Sequence, residues 1–368
     1  MRTGTEAFWT AGLLLAAASL VVTVRPSRAA ALDLTLLHTN DVHARFEQFD
    51  KYGGACGADE AAGGECFGGV ARRATAVRRV RDQAGNVLLL DGGDQFQGTM
   101  WFYIYRGLAT AHFMNSLRYD AMAIGNHEFD IRPEGLRPFL MDTNFPLISA
   151  NTDASKEPSI DGLFNKSTVI TLADGQRIGI VGYTYYLTRE ISNSGEVEFG
   201  GEVEAVQAEV DRLVAEEGLD KIIALGHAGF AKDREIASKV RGVDIVIGGH
   251  TNTFMYTGPP PSSEVPVSEY PVVVRPEYDA TRSVLVVQDY TLGKYLGRLD
   301  VTFDDAGELE SWSGNPILLD KDYEEDPATL LEIEEWAEMV RNYSSEYIGT
   351  SHVLLDGNCR LGECNLGN

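Results

Sequence analysis

The sequence Ala123-Ile124-Gly125-Asn126-His127-Glu128-Phe129-Asp130 joins an apolar run to a turn that carries an amide, an imidazole and a carboxylate. The end of a strand needs none of these groups, whereas a hydrolytic site uses all three. We therefore predict that Asn126 binds a metal ion, that His127 contacts a reacting group and that Asp130 orients His127. Glu128 and Phe129 are expected to serve the packing and the charge balance of the turn.

Four further apolar runs end in turns of the same kind, beside glycine or other polar residues. The polar residues that these turns supply are Asp41, His43, Asp94, His227 and His250. Five of the seven histidines in the chain lie in the five turns or directly before them. Strand ends of an open α/β sheet converge on a crevice where sites are assembled. The pattern therefore predicts an α/β fold with one site built from five turns.

The residue types of these turns indicate the metal. Imidazole and carboxylate ligands suit zinc, manganese or iron, whereas calcium takes mostly oxygen ligands. Two metal ions about 3.5–4 Å apart need a bridging group, and we expect the Asp94 carboxylate to bridge them. Such a pair lowers the pKa of a bound water toward about 7. His127 would then stabilise the transferring phosphoryl group or protonate the leaving oxygen, with Asp130 fixing its tautomer.

The remaining patterns predict the scaffold. Residues 70–82 and 101–117 are each predicted to form one helix, and the five arginines of the first are expected on a solvated face. Three strand-like runs after residue 270, without helices between them, predict added antiparallel sheet. Asp326 and Pro327 form a typical helix start, which predicts a helix that ends near residue 343.

Residues 1–31 combine a basic start, an apolar stretch and small residues at the end, a pattern that predicts a secretory signal peptide. A signal anchor is the alternative. The formal net charge of −24 argues against binding of nucleic acid polymers, which requires a basic surface. We therefore expect a secreted or extracellular protein.

The four cysteines are expected to form disulfides if the chain is secreted. Of the three possible connectivities, the spacing favours two local pairs, Cys56 with Cys66 and Cys359 with Cys364. A zinc knuckle is the alternative, but the two pairs lie almost 300 residues apart in the sequence. Glycosylation sequons begin at Asn165 and Asn342 and agree with secretion.

Five segments resemble the five sequence motifs of the calcineurin-like metallophosphoesterases. They are Asp41-Val42-His43, Gly92-Gly93-Asp94-Gln95, Gly125-Asn126-His127-Glu128, Gly226-His227 and Gly248-Gly249-His250-Thr251-Asn252. The longer segments 94–99 and 125–130 are similar to the 5′-nucleotidase family, and the cysteine loops resemble its animal extracellular members. The resemblance extends from about residue 33 to the last residue.

This resemblance implies a four-layer α/β/β/α metallophosphoesterase sandwich with two divalent metal ions. Zinc is the expected metal, with manganese or iron as alternatives. The first metal would be held by Asp41, His43 and Asp94. The second would be held by Asp94, Asn126, His227 and His250. Asn252 stands where some relatives have a further ligand of the first metal.

The resemblance also assigns roles beyond the metals. His127 and Asp130 match the catalytic pair of the family, and Arg360 matches an arginine that contacts the substrate. His38 belongs to a motif without being a ligand, so we expect it to pack or to support a ligand.

The same resemblance predicts the domain organisation. Residues 32–325 would form the catalytic domain, 326–344 a linking helix, and 345–368 the start of a C-terminal nucleotide-binding domain. Relatives continue through that domain, dimerise through it and can be membrane-anchored, so this chain is expected to be either a fragment or a short form.

The implied activity is extracellular hydrolysis of nucleoside 5′-monophosphates such as AMP. An apyrase-like or nucleotide-sugar hydrolase of the same family is the near alternative. An inactive binding protein or inactive truncated form is the alternative of another class, although every expected ligand position carries a suitable residue.

Overall fold

The computed structural model describes residues 31–350 and the isolated positions 1, 4 and 352. Nearly all of the predicted leader 1–31 lies outside the described residues. The same holds for Cys359, Arg360 and Cys364, so the structure does not address their predicted roles.

The first sheet has a parallel centre and antiparallel strands at one side. Its order is β14 (Leu309–Gly314), β13 (Tyr295–Phe303), β1 (Leu32–Thr39), β2 (Val87–Asp91), β3 (Ala121–Ala123) and β4 (Leu147–Ile148), with β15 (Ile317–Leu318) beside β13. Strands β1 to β4 are parallel, and β13 runs antiparallel to β1. The carboxyl ends of β1, β2 and β3 therefore lie at one edge.

The second sheet also has a parallel centre, but it has an antiparallel strand at each edge. Its order is β11 (Val272–Val274), β12 (Val284–Val287), β10 (Ile245–Ile247), β9 (Ile222–His227), β7 (Arg177–Thr184) and β6 (Ser167–Thr171), and β5 (Thr152–Asp153) pairs separately with β8 (Glu198–Phe199). The predicted antiparallel additions are confirmed for β11 and β13. β12 pairs antiparallel with β11, as predicted, but parallel with β10, so it also extends the parallel centre of the second sheet, which was not predicted.

Helices cover the outer face of each sheet. The first sheet carries α2 (Val70–Arg81), α3 (Met100–Tyr105), α4 (Leu108–Leu117), α5 (Arg132–Asp142) and α9 (Pro327–Ser344). The second carries α7 (Glu202–Arg212), which continues as a π-helical turn (Leu213–Glu217), and α8 (Phe230–Lys239). The short helices are α1 (Ala58–Gly63), α6 (Thr188–Ile191) and a 3₁₀ turn (His127–Phe129).

The two sheets face each other across an apolar layer. Leu34 and Leu36 of β1 point into this layer with Ile223 and Ile245 of the second sheet, whereas Leu37 points to the helices. A strand covered on both faces is apolar at successive positions, which explains the continuous runs in the sequence. The predicted four-layer α/β/β/α sandwich is confirmed.

The prediction of one helix over residues 101–117 is wrong, because the chain breaks between α3 and α4. Arg106 has a φ of 53°, which a helix does not contain. At Gly107 a Cβ atom would lie 2.6 Å from side-chain atoms of Phe139 and Phe96. The break therefore lets the backbone approach the aromatic core more closely than a residue with a side chain allows.

The helix predicted to start at Asp326 is confirmed. The Asp326 side chain accepts a hydrogen bond from the Thr329 amide at 2.9 Å and pairs with Arg78 at 2.6 Å. Its role as a link to a second domain stays a prediction. Among the described residues, no helix combines the length and apolarity that a membrane crossing requires.

The disulfide between Cys56 and Cys66 is confirmed, with the two Cα atoms 5.9 Å apart. It closes the loop between the Asp41 turn and α2. Phe49 and Phe67 exchange backbone hydrogen bonds beside this bridge. The disulfide thus restrains a long irregular loop next to the predicted site.

Candidate active site

The predicted ligand residues converge at the carboxyl ends of the parallel strands of both sheets. The first group that could hold a metal ion consists of Asp41, His43 and Asp94, and the second of Asp94, His227 and His250. Within each group the candidate ligand atoms lie within 4.8 Å of one another. Asp94 belongs to both groups, the position that a bridging carboxylate would occupy.

Two histidines are held so that Nε2 faces the carboxylates. The Nδ1 atom of His227 lies 2.7 Å from the carbonyl oxygen of Gly92, and that of His43 lies 2.9 Å from the carbonyl oxygen of Phe96. A carbonyl only accepts, so each Nδ1 carries a hydrogen, which leaves Nε2 as the ring atom that would bind a metal ion in place of a proton. Nε2 of His227 lies 2.9 Å from Oδ2 of Asp94.

The electrostatics of the cluster favour a bound cation. Burial lowers the pKa of His227, but Asp94 and Asp41 outweigh it and raise the pKa to about 10. A buried imidazole that holds a proton this tightly lies in a strongly negative site. A divalent cation would compensate the same carboxylates.

Asn126 supplies an independent indication of a metal. It is buried, and its Oδ1 atom has no hydrogen-bond partner within the described residues. A buried amide oxygen without a partner is costly unless a ligand satisfies it. Asn252 is exposed and lies two residues after His250, and its role as a further ligand stays a prediction.

The ligand turns share an uncommon backbone conformation. The φ angles of Asp41, His43, Asp94 and His250 are 52°, 53°, 59° and 74°. Residues other than glycine rarely adopt positive φ, and such positions concentrate at functional sites where neighbouring contacts impose them. At Asp41, the amide of Leu292 contributes by donating to the carbonyl oxygen at 2.7 Å.

The predicted pair of His127 and Asp130 is in direct contact. Nδ1 of His127 donates to Oδ2 of Asp130 at 2.6 Å, and this bond is the main reason that the pKa of His127 is raised to about 9. Asp130 also accepts from Nε2 of Gln97 and Oγ of Ser192, both at 2.9 Å. The carboxylate that orients His127 is therefore itself held in place by two hydrogen bonds. The Nε2 atom of His127 lies 4.0 Å from Oδ2 of Asp94.

Glu128 does more than the expected packing and charge balance. Its fully buried carboxylate accepts hydrogen bonds from four backbone amides, at distances of 2.7–3.1 Å. The donors are Asp94, Gln95, Phe96 and Gly125. Glu128 thus joins the turn after β2 to the turn after β3, although the sequence gives no local sign of this contact.

Gln288 is a further residue that the sequence does not reveal. Its Nε2 atom donates to the carbonyl oxygen of Gly249 at 3.0 Å and to Asp233 at 2.6 Å. Its Oε1 atom accepts from the amide of Thr253 at 3.0 Å. Gly249 and Thr253 bracket the His250 turn, so one side chain holds both ends of that turn.

His38 lies apart from the ligand groups, as expected. It is buried, and its Nε2 atom lies 2.8 Å from the hydroxyl of Tyr270, whose ring stacks on the imidazole. Burial lowers the pKa of His38 to about 3, so the ring is neutral. It packs between the two sheets beside Gly297.

These features agree with what comparisons with known proteins find. The calcineurin-like phosphoesterase family matches residues 34–254, and the chain belongs to this family. It is 51% identical over 346 residues to the snake venom 5′-nucleotidase of Naja atra, and the alignment covers 92% of this chain and 64% of that relative. It is 50% identical over 348 residues to the 5′-nucleotidase of Homo sapiens, and this alignment covers 92% of this chain and 59% of that relative.

A solved structure supports the same relationship. The crystal structure of a 5′-nucleotidase precursor from Thermus thermophilus superposes with a TM-score of 0.80 at 40% identity. The match covers 89% of this chain and 62% of that chain. The predicted resemblance is confirmed, and the chain spans about three fifths of the length of the relatives it matches.

Proposed function

We propose that this chain forms the metal-dependent catalytic part of a 5′-nucleotidase that hydrolyses nucleoside 5′-monophosphates such as AMP to nucleoside and phosphate. The observation that carries the proposal is the position of Asp94, a member of both candidate metal groups. The names of the relatives supply the substrate class, because those proteins are 5′-nucleotidases at about half identity.

The residues fit a pair of divalent ions. Asp41, His43 and Asp94 would hold one ion, and Asp94, Asn126, His227 and His250 the other. The mixture of imidazole, carboxylate and amide ligands favours zinc, with manganese or iron as alternatives. Bound divalent ions would supply Lewis acidity, which activates water at neutral pH and offsets the charge of the phosphoryl group.

The protein residues then act on the phosphoryl group. His127, protonated through its bond to Asp130, points Nε2 toward the site and can donate a hydrogen bond to a phosphoryl oxygen or a proton to the leaving oxygen. Gln97 and Ser192 keep Asp130 in place. Asp130 is thus a positioning residue for His127.

The setting of the proposed enzyme is extracellular. The predicted signal peptide, the Cys56–Cys66 disulfide and the animal relatives support secretion. Asn165 and Asn342 are both exposed, as glycosylation requires. Arg360 would contact the substrate.

Phosphate release from AMP, ADP and a nucleotide sugar, measured after reconstitution with zinc or manganese, tests the proposal. We expect release from AMP to be fastest and to stop when a chelator is added. Faster release from ADP or the nucleotide sugar would instead identify the apyrase-like or nucleotide-sugar hydrolase. A chain that binds no metal and releases no phosphate would be an inactive binding protein or an inactive truncated form.

A further inference from the structure

One candidate metal ligand, His250, is held differently from the other two histidines of the metal groups. His43 and His227 each donate Nδ1–H to a backbone carbonyl, and this bond fixes the rotation of the ring. The backbone amide of His250 donates to Oδ2 of Asp41 at 2.9 Å. Within the part of the chain that the structure describes, no hydrogen bond holds the imidazole of His250 itself. Another kind of contact must therefore orient this ligand.

Aromatic packing holds the His250 ring instead. The ring of Tyr185 lies 4.9 Å from the imidazole, and the two planes meet at an angle of 32°, which is a tilted stack. The ring of His227 approaches the same imidazole edge to face, at 5.2 Å and 71°. A Cβ atom at Gly229 would lie 3.7 Å from Cδ2 of His250, so the backbone there borders the ring as well. The orientation of His250 thus depends on its neighbours' shapes.

The position of Tyr185 is fixed by the strands of the second sheet. Tyr185 directly follows β7, which pairs in parallel with β9 up to His227. The amide of Tyr185 donates to the carbonyl oxygen of His227 at 2.9 Å. The Tyr185 ring is half-buried and packs against the core between this sheet and its helices. One residue therefore joins the backbone of one candidate ligand to the ring of another.

Metal binding would strengthen the contact between the two rings. An imidazole that gives its lone pair to a divalent ion becomes electron-poor, and the face of a phenol ring is electron-rich. The stack is therefore more favourable when His250 holds a metal ion than when it does not. An aliphatic side chain at position 185 would fill part of the same space without providing this attraction.

We propose that Tyr185 is a positioning residue for the second metal group, and that it orients His250 by ring stacking where hydrogen bonds orient His43 and His227. This inference rests on the proposed function, because it takes the second group to bind a divalent ion. Tyr185 belongs to neither metal group. Loss of its ring should consequently weaken one metal site and leave the other nearly unchanged.

Calorimetric titration with zinc tests the proposal, with two binding steps expected for the wild-type chain. Tyr185→Leu should lower the affinity of one step by about tenfold, which an aromatic stack or a lost ligand support can reach. His43→Ala removes a ligand of the first group and identifies that group's step, which Tyr185→Leu should leave within about twofold. Tyr185→Phe keeps the ring and should keep both affinities. Tyr323→Leu makes the same change at another half-buried tyrosine and should bind zinc as the wild type does.

A spectroscopic measurement shows whether the geometry at His250 changes. The visible absorption of bound Co²⁺ depends on the arrangement of its ligands. Tyr185→Leu should alter the bands that appear with the second equivalent of Co²⁺, and Tyr185→Phe should reproduce the wild-type bands. A tyrosine that only stabilised the fold would leave the bands of both ions unchanged.

The outcomes separate this inference from the proposed function. Equal affinities and spectra in the wild type and Tyr185→Leu would overturn the proposal, as would an equal loss at both steps or a loss in Tyr185→Phe as large as that in Tyr185→Leu. Urea unfolding of the metal-free chains checks that the Leu variant is folded; if it is not, Tyr185→Met provides the same comparison. A wild-type chain that binds two zinc ions and releases no phosphate from AMP would refute the proposed function alone, because the zinc comparison stays valid.

Discussion

The Nε2 atom of Gln288 lies 3.0 Å from the carbonyl oxygen of Gly249, at the base of the turn that carries His250. The same atom lies 2.6 Å from Asp233, whose other oxygen accepts from the hydroxyl of Tyr183 at 2.7 Å. A chain of buried hydrogen bonds thus runs from β7 through α8 to the end of β12 and sets the position of a proposed metal ligand.

Changing Gln288 to Glu should weaken metal binding at the His250 side. The carboxylate cannot donate to Gly249, and it would face the Asp233 carboxylate at hydrogen-bond distance. Loss of a residue that orients a metal ligand typically costs about 10–100-fold in metal affinity, which calorimetric titration with zinc would measure. Gln83→Glu makes the same change at an exposed position and should bind zinc as the wild type does. Equal affinity in the two variants would contradict this role for Gln288.

Replacing Asp94 by Asn should remove both metal ions, because Asp94 belongs to both ligand groups. Asp41→Asn affects only the first group directly and should retain more metal. The metal content per chain after dialysis, determined by mass spectrometry, distinguishes the two variants. An Asp94→Asn chain with two metal ions and full phosphatase activity would exclude the bridging role.

Asp130→Asn should lower kcat for AMP by about 100-fold or more, with a small effect on KM. The reason is that Asp130 orients and charges His127 without belonging to the metal groups. Steady-state kinetics measure both constants. Asp142→Asn, an exposed change of the same type, serves as the control. A rise in KM with an unchanged kcat would show that Asp130 serves substrate binding instead.

Glu128→Gln should destabilise the fold by roughly 3 kcal/mol. The amide side chain keeps one acceptor oxygen, so two of the four backbone amides would face its NH₂ group, and each unsatisfied donor costs about 1–3 kcal/mol. Urea unfolding of the two chains measures the difference in the free energy of unfolding. The exposed change Glu134→Gln should have little effect, and equal losses at the two positions would contradict the four-amide contact.

Asp244 should make the stability of the chain depend on pH. Burial raises its pKa to about 7, although the Ile222 amide and Arg282 act in the opposite direction. The unfolded value is about 3.9, so the stabilising contribution is complete below about pH 4 and is lost as pH rises through about 7.

Asp244→Asn removes this titration. Between pH 5 and 7 the free energy of unfolding of the variant minus that of the wild type should therefore increase with pH, with a slope of up to about 1.4 kcal/mol per pH unit. Urea unfolding at several pH values measures the difference. Asp161→Asn, at an exposed position, should show no such trend. A difference for Asp244→Asn that stays constant with pH would contradict the expectation.

Much of the candidate site could be predicted from the sequence because residues of ligand type concentrate in short turns after apolar runs. Asp41, His43, Asp94, His227 and His250 could each be recognised within a few residues of a strand end. The parallel centre of each sheet then brings those ends together, which is a consequence of topology. The proposal that Asp94 is shared needed only the ligand types and the spacing of a metal pair.

The supporting residues could not be predicted, because their contacts join distant parts of the chain. Gln288 holds Gly249 across 39 residues, and Glu128 holds Phe96 across 32. Neither contact leaves a periodic or local pattern. The burial of arginines in α2 could not be predicted either. All five were expected on a solvated face, but Arg72 and Arg73 are buried.

The second metal group draws Asp94 from one sheet and its two histidines from the other. The apolar layer between the sheets therefore acts as a spacer that sets how far apart these ligands stand. Residues such as Leu36 and Ile247, which contact no substrate, belong to that spacer. Substitutions in that layer are therefore expected to change the metal affinity even while every ligand residue stays the same.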